Sequence, residues 1–290
     1  FVTCALKIKQ KISMTKKFIF IIGVISAFSV FYSCKKDESN VTPPRDVTEV
    51  RNENNAAIET FLNTHSLTFT NTATISETVV FSTTSNTSQS IAKDVRLKTL
   101  ELDVIDANNQ RVRHKMYYMI LQEGTGTTTT VADSVYVNYK GQLLNLNIFD
   151  QTEGQSTSNW IDLIGNVVTR RPGGTIKGFS EGIAKLKDSS SKMTQNSDGT
   201  LNMPTDGGVG VFIIPSGLGY FSSGQAKIPA YSPLIFTIRL GKTKRADHDH
   251  DGKASINEIQ RDEFGIITYP NCNADNERTQ TPDYLDPKCK

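Results

Sequence analysis

From residue 96 onward the chain reads as short alternating segments joined by turns, broken once by a stretch of helical period. That pattern constrains the fold more than any other feature. In Val135-Tyr136-Val137-Asn138-Tyr139, residues 135, 137 and 139 share one face of a strand. Leu234, Phe236, Ile238 and Leu240 do the same near the end. Residues 96–107, Arg113–Gln122 and Val209–Ile214 are further strands, the second closed by a turn at Gly124-Thr125-Gly126. Asn145–Phe149 is expected to pair with 135–139 across a turn at Gly141. The exception is Gly178–Lys187, where Phe179, Ile183 and Leu186 fall at i, i+4 and i+7 and predict a short helix. Residues 188–208 are polar and Gly-rich and read as a long loop. One short helix among many strands gives the α+β class. Turns rather than helical crossovers join the strands, so the sheet is antiparallel.

Upstream, Asn52–His65 carries Ala56, Ile58, Phe61 and Leu62 at helical spacing, and residues 66–95 are rich in Thr and Ser with β-type runs such as Thr78-Val79-Val80-Phe81. The first residues read as an address. Met14-Thr15-Lys16-Lys17 is basic, Phe18–Tyr32 is apolar, and Ser33-Cys34 follows. The apolar run falls short of the ~20 residues of a membrane span and fits a secretory signal. The cysteine makes it resemble a lipoprotein signal, with Met14 as the true start and Cys34 as the lipid-modified residue. Lys35-Lys36-Asp37-Glu38 resembles the surface-export tag of Bacteroidetes-type lipoproteins; a charged linker reads the same way. A net charge of +2, without a basic run interleaved with aromatics, speaks against nucleic acid.

Six pieces between about Tyr117 and Leu240 fall in a familiar order. They are Glu123-Gly124-Thr125-Gly126, the Val135–Gly141 strand, Ile148-Phe149-Asp150-Gln151-Thr152, Ile176-Lys177-Gly178-Phe179-Ser180-Glu181-Gly182, Ile214-Pro215-Ser216-Gly217-Leu218-Gly219-Tyr220, and Ile228-Pro229 with Leu234-Ile235-Phe236. Together they resemble the FKBP family of peptidyl-prolyl cis-trans isomerases. The resemblance implies a twisted antiparallel sheet wrapped around one short helix. It also implies an apolar pocket lined by Tyr139, Phe149, Asp150, Ile176, Phe179, Tyr220, Ile228 and Phe236, with Trp160 on its wall, taking proline-containing polypeptide segments and needing no cofactor. In that reading the Ile176 N–H and the Tyr220 hydroxyl hold carbonyls flanking the proline, and Asp150 accepts from Tyr139. Two departures bear on rate: Phe179 stands where the family has tryptophan, and 188–208 lengthens the segment after the helix. For Phe236 and Ile176 alone, ordinary core packing is the competing reading.

After the last strand, Asp247-His248-Asp249-His250-Asp251-Gly252-Lys253-Ala254-Ser255-Ile256-Asn257-Glu258 fits an EF-hand-type loop. Its expected Ca²⁺ donors are Asp247, Asp249, Asp251, the Lys253 carbonyl, Ser255 and Glu258, with His248 and His250 pointing outward. A solvated acidic linker is the alternative. A degraded second copy runs through Asp275, Glu277, Asp283 and Asp286, bracketed by Cys272 and Cys289, which either pair or remain free thiols.

The organisation expected is a signal segment at 1–33, a tether at 34–50, an N-terminal extension at 51–116, the isomerase domain at 117–243 and a calcium-binding tail at 244–290. The expected protein is a lipid-anchored isomerase of the bacterial outer membrane, facing the periplasm or the cell surface, that assists folding of exported or surface proteins. The alternatives are a proline-segment binding module without turnover and a calcium-dependent surface scaffold. Oligomeric state stays open.

Overall fold

The computed structural model describes residues 43–72, 75–152, 160–168, 174–273 and 280–289. The signal segment, Cys34, Asp275 and Glu277 lie outside them. Among the described residues no helix is long and apolar enough to cross a membrane.

The first element is helix α1, Val47–Thr64, longer than the 52–65 expected. Its start is set by Asp46, whose carboxylate accepts the Glu49 N–H at 2.8 Å. Its buried stripe is Val50, Asn54, Ile58, Phe61 and Leu62. Strand β1 (His65–Phe69), the short helix α2 (Ile75–Thr78) and β2 (Val79–Thr83) follow, and β1 and β2 form an antiparallel hairpin.

The main sheet holds β3 (Leu97–Ile105), β4 (Arg111–Gln122), β5 (Ser134–Leu143), β6 (Ile148–Gln151), β7 (Trp160–Asp162), β8 (Val209–Ile214) and β9 (Leu234–Lys244). The order is β3-β4-β8-β9-β5-β6, with β7 also on β5, and every pair is antiparallel. The expected boundary between 116 and 117 falls inside β4, so β3 and the start of β4 belong to the sheet. Gly141 lies within β5 rather than at the turn, which comes at Leu143–Asn147 and places Leu146 at φ +67°. At Gly141 the Phe149 ring sits where a Cβ would be, at 2.5 Å, so the missing side chain lets Phe149 lie across β5.

Alternation along the central strands gives the sheet two apolar faces. On the inner face Met116, Val135, Val137, Phe212, Ile214, Leu234, Phe236, Ile238 and Leu240 pack with Phe179, Ile183 and Leu186. Those last three come from helix α3, Lys177–Ile183, and the turn after it. Gly178 and Gly182 bring α3 onto Ile214 and Phe212, where a Cβ would lie 2.3 and 2.7 Å from the facing side chains. On the outer face Tyr117, Met119, Val211, Ile213 and Ile235 pack with Ile58, Phe61 and Leu62 of α1 and Val79 and Phe81 of β2. The N-terminal extension therefore covers the second face of the sheet. Two cations are buried in this layer. Lys140 donates to the Val79 carbonyl at 2.9 Å, and Arg239 donates to Asn71 Oδ1 at 2.9 Å, the Thr72 carbonyl at 3.0 Å and the Thr205 carbonyl at 3.2 Å.

The 188–208 loop is held at its ends by two carboxylates. Asp188 accepts the N–H groups of Thr127 at 2.6 Å and Thr243 at 2.9 Å. Asp206 accepts hydroxyls from Ser189, Thr125 and Ser191, which hold its carboxyl far below the usual range. The tail after β9 adds a small hairpin, β10 (Gln260–Arg261) with β11 (Ile267–Thr268). A disulfide joins Cys272 to Cys289.

His114 on β4 is buried beneath Gly217, with neither ring nitrogen partnered. Burial first, then Arg51 and Lys177, pushes its imidazole down from 6.5 to about 4. The unfolded chain therefore takes up this proton first as pH falls. The stability linked to His114 is complete above about pH 6.5 and is withdrawn between about 6.5 and 4. Unfolding free energy from denaturant titration is expected to drop by ~2–3 kcal/mol between about pH 7 and 4.5. His114→Leu should flatten that slope, and a slope unchanged by the substitution would contradict the assignment.

Candidate functional site

Between the inner face of the sheet and α3 lies a cavity of about 690 Å³. All eight residues expected at the pocket line it. Tyr139 comes from β5, Phe149 and Asp150 from β6, and Phe236 from β9. Ile176 caps the start of α3, and Phe179 lies in its first turn. Tyr220 follows the 3₁₀ turn Ser216–Leu218, and Ile228 comes from the loop before β9.

Phe236 is the hub of the wall. Its ring meets Phe179 at 5.1 Å, Phe149 at 5.5 Å and Tyr139 at 6.0 Å, the two phenylalanines edge to face. Phe179 and Phe236 are almost fully covered, whereas Tyr139, Phe149, Ile176 and Tyr220 are half-buried and face the opening. Packing of the first pair as core and presentation of the second group to the cavity are thus compatible roles for one cluster.

The polar groups are few. The Tyr139 hydroxyl donates to Asp150 Oδ2 at 2.5 Å, as the resemblance implied. Burial first, and then Asp150, pushes the Tyr139 hydroxyl well above its ordinary range. Burial and then Asp150 raise Tyr220 as well. Both phenols therefore keep their protons at neutral pH and remain donors. The Ile176 N–H meets no acceptor among the described residues and stands at the cavity edge.

Trp160 does not line the cavity. Its neighbour Ile161 does, because adjacent residues on β7 point to opposite faces, and Trp160 packs edge to face on Tyr136. Thr175, Gln225 and Lys227 complete the rim and were not anticipated. None of residues 188–208 is in the lining, so the long loop lies clear of the cavity.

Two supports of the site carry no local sequence signal. Asn54 of α1 accepts the Ser216 N–H at 2.7 Å and donates to the Tyr231 carbonyl at 3.0 Å, which fixes the turn that presents Tyr220. Arg261 of the tail makes a two-pronged pair with buried Glu181 of α3, at 2.8 and 3.1 Å. Each partner is more than 75 residues from the other along the chain, beyond the reach of periodicity or motif.

The acidic loop gathers part of its expected donor set. Asp247, Asp249 and Asp251 place carboxylate oxygens within 4.8 Å of one another. Glu258 is buried beside them, and burial first, then Asp249 and Asp251, pushes its carboxyl up to about 7. The Lys253 N–H donates to Asp251 Oδ1 at 2.7 Å. Ser255 departs from expectation: its hydroxyl accepts the His248 N–H at 3.1 Å and meets His248 Nδ1 at 2.8 Å, so it is spent on the histidine. His248 also departs, turning inward to Asp162 Oδ2 at 3.2 Å rather than outward to solvent. Of the degraded second copy, Asp283 accepts the Cys272 N–H at 2.7 Å and Asp286 accepts from Asn273 and Lys288, so both brace the disulfide loop.

Asn54→Ala would leave the buried Ser216 N–H without its acceptor, at a cost of ~1–3 kcal/mol. A lower unfolding midpoint is expected in Asn54→Ala, with partial recovery in Asn54→Asp. Identical midpoints in wild type and Asn54→Ala would show that this contact does not hold the turn.

Residues 126–241 match the family model of the FKBP-type peptidyl-prolyl cis-trans isomerases. An FKBP-type peptidyl-prolyl cis-trans isomerase from Escherichia coli K12, FkpA, is 29% identical over 133 residues, which is 45% of this chain and 38% of that protein. The peptidyl-prolyl cis-trans isomerase Mip of Chlamydia pneumoniae is 28% identical over 126 residues, 43% of this chain and 38% of its own length. This chain thus spans well under half the length of the curated relatives it matches. The crystal structure of FkpA from Escherichia coli aligns with a TM-score of 0.36 at 24% identity, covering 53% of this chain and 54% of that one. Residues 126–241, the segment similar to the FKBP-type peptidyl-prolyl cis-trans isomerases, are the ones that carry the cavity and its aromatic wall.

Proposed function

We propose that this protein isomerises X-Pro peptide bonds in the cavity around Phe236, acting on proline-containing segments of exported or surface polypeptides. The observation that carries the reading is the meeting of all eight residues around one cavity whose wall is aromatic and whose polar groups are two phenol hydroxyls and the Asp150 carboxylate. Resonance holds the amide planar with a barrier of about 20 kcal/mol. The half-rotated amide has lost that resonance and is less polar than the planar one. A water-poor aromatic cavity therefore favours the twisted form over the ground state.

Phe149, Ile176, Phe179 and Phe236 grip the proline ring in this reading. The Ile176 N–H and the Tyr220 hydroxyl hold the flanking carbonyls. Asp150 fixes the Tyr139 hydroxyl and takes no proton from substrate. Tyr139 and Ile228 close the wall. This chemistry calls on no cofactor, and the Ca²⁺ expected in the tail plays no part in it.

The reading extends to location. The basic start at Met14–Lys17, the apolar run to Tyr32 and Cys34 support export and lipid anchoring at the outer membrane, facing the periplasm or the cell surface. The Cys272–Cys289 disulfide supports an oxidising compartment. With α1 and the β1–β2 hairpin as a cover for the sheet, we take residues 45–243 as the working isomerase body and 244–289 as an appended tail.

A protease-coupled assay of the full chain on an X-Pro peptide tests this. Acceleration is expected, with kcat/KM reduced about tenfold or more, ~1.4 kcal/mol or greater, in Asp150→Ala and in Tyr220→Ala. Equal rates in all three proteins would show that the cavity is not the site. Peptide binding without acceleration would leave a proline-segment binding module.

A further inference from the structure

We propose that residues 247–258 bind one Ca²⁺ ion, and that the bound ion locks the tail onto β7 and α3. The donors are carboxylate oxygens left without partners. Asp247 uses Oδ2 to accept the Gly252 N–H at 3.1 Å, and Asp249 uses Oδ1 to accept the Asp251 N–H at 3.2 Å. Their other oxygens, Asp247 Oδ1 and Asp249 Oδ2, are buried and meet no donor. Each aspartate thus turns one oxygen to the loop backbone and leaves the other unsatisfied.

Glu258 supplies an independent observation. It is only 3% exposed, and both of its carboxylate oxygens are buried without a partner. It lies close enough to Asp249, Asp251 and Asp247 to feel their charges. Three carboxylates within 4.8 Å of one another, a fourth in their field, and unpaired buried oxygens on Asp247, Asp249 and Glu258 are expensive together unless a cation neutralises them. No lysine or arginine among the described residues pairs with any of the four.

The chemistry of the donors selects the ion. They are hard oxygens, with a glutamate able to give both atoms, which suits the high coordination number of Ca²⁺ better than the strict octahedron of Mg²⁺. The imidazole of His248, the nitrogen donor that Zn²⁺ would prefer, is engaged by Asp162 and Ser255 instead. The Ser255 hydroxyl is absent from the donor set for the same reason.

That engagement links the loop to the rest of the molecule. His248 reaches Asp162 on β7, next to Ile161 of the cavity lining. Further along, Arg261 pairs with Glu181 on α3, and the Tyr284 hydroxyl donates to the Gly165 carbonyl at 3.1 Å and accepts the Val167 N–H at 3.1 Å. An ion that neutralises the acidic loop fixes the start of the segment carrying these clamps. The proposal stands whether or not the cavity turns over proline peptides.

Calorimetric titration of the chelator-treated full chain with CaCl₂ tests it, alongside thermal unfolding and limited proteolysis. One Ca²⁺ per chain is expected, with a higher unfolding midpoint and slower cleavage after residue 245. Mg²⁺ should bind at least tenfold more weakly. Glu258→Gln and Asp249→Asn should each weaken Ca²⁺ at least tenfold; circular dichroism establishes that they fold, and Asp249→Asn decides alone if Glu258→Gln does not. Absence of a binding heat and of a midpoint shift at millimolar Ca²⁺ would overturn the proposal. So would wild-type affinity in the folded variants, or binding that leaves midpoint and cleavage unchanged.

Discussion

Strand β9 is buried on both faces from Leu234 to Gly241, and the rest of the molecule is arranged to satisfy that burial. Its inner residues, Leu234, Phe236, Ile238 and Leu240, need the helix α3. Its outer residue Ile235 needs α1 and the β1–β2 hairpin. Covering a second sheet face with apolar side chains supplies the burial that opposes the entropy of ordering an extra helix and hairpin. The same layer accommodates Lys140 and Arg239 because carbonyls and Asn71 accept their hydrogen bonds. The amino-terminal segment is therefore part of the domain's structure, and through Asn54 it also sets the turn that carries Tyr220.

The cavity is a consequence of the same packing. Phe236 stands in line with Leu234 and Ile238 in the core, yet its ring also lines the cavity. There it is met edge-on by Phe149 and Phe179. Core and site thus share a residue, and the site inherits the rigidity of the sheet. The half-buried members around it, Tyr139, Ile176 and Tyr220, add the donors. Their placement on different elements makes the geometry dependent on the whole fold rather than on a loop.

Much of this was legible in the sequence, because period-2 alternation and short turns are local signals. The inner face of β5 and β9 and the stripe of α3 follow from spacing alone, and the eight cavity residues from motifs in a fixed order. Other features were not legible. Gly141 looked like a turn, but it serves a close approach by Phe149, which one-dimensional spacing does not distinguish. The wall position expected for Trp160 belongs to its neighbour Ile161, since a strand of three residues carries no period to fix its register. Ser255 and His248 fitted a loop pattern that assumes nothing packs against it, whereas β7 does. The pairs Asn54–Ser216 and Arg261–Glu181 join distant segments, and no local pattern announces them.

In the proposed reaction an aromatic cavity lowers the rotational barrier by sheltering a twisted amide, with no proton in flight. Asp150 and the two phenols then act as fixed hydrogen-bonding groups. The most direct test is the solvent deuterium isotope effect on kcat/KM for an X-Pro peptide. A value near one, unchanged across neutral pH, is the result this account predicts. A normal effect of about two or more, the signature of proton transfer in the rate-limiting step, would contradict it.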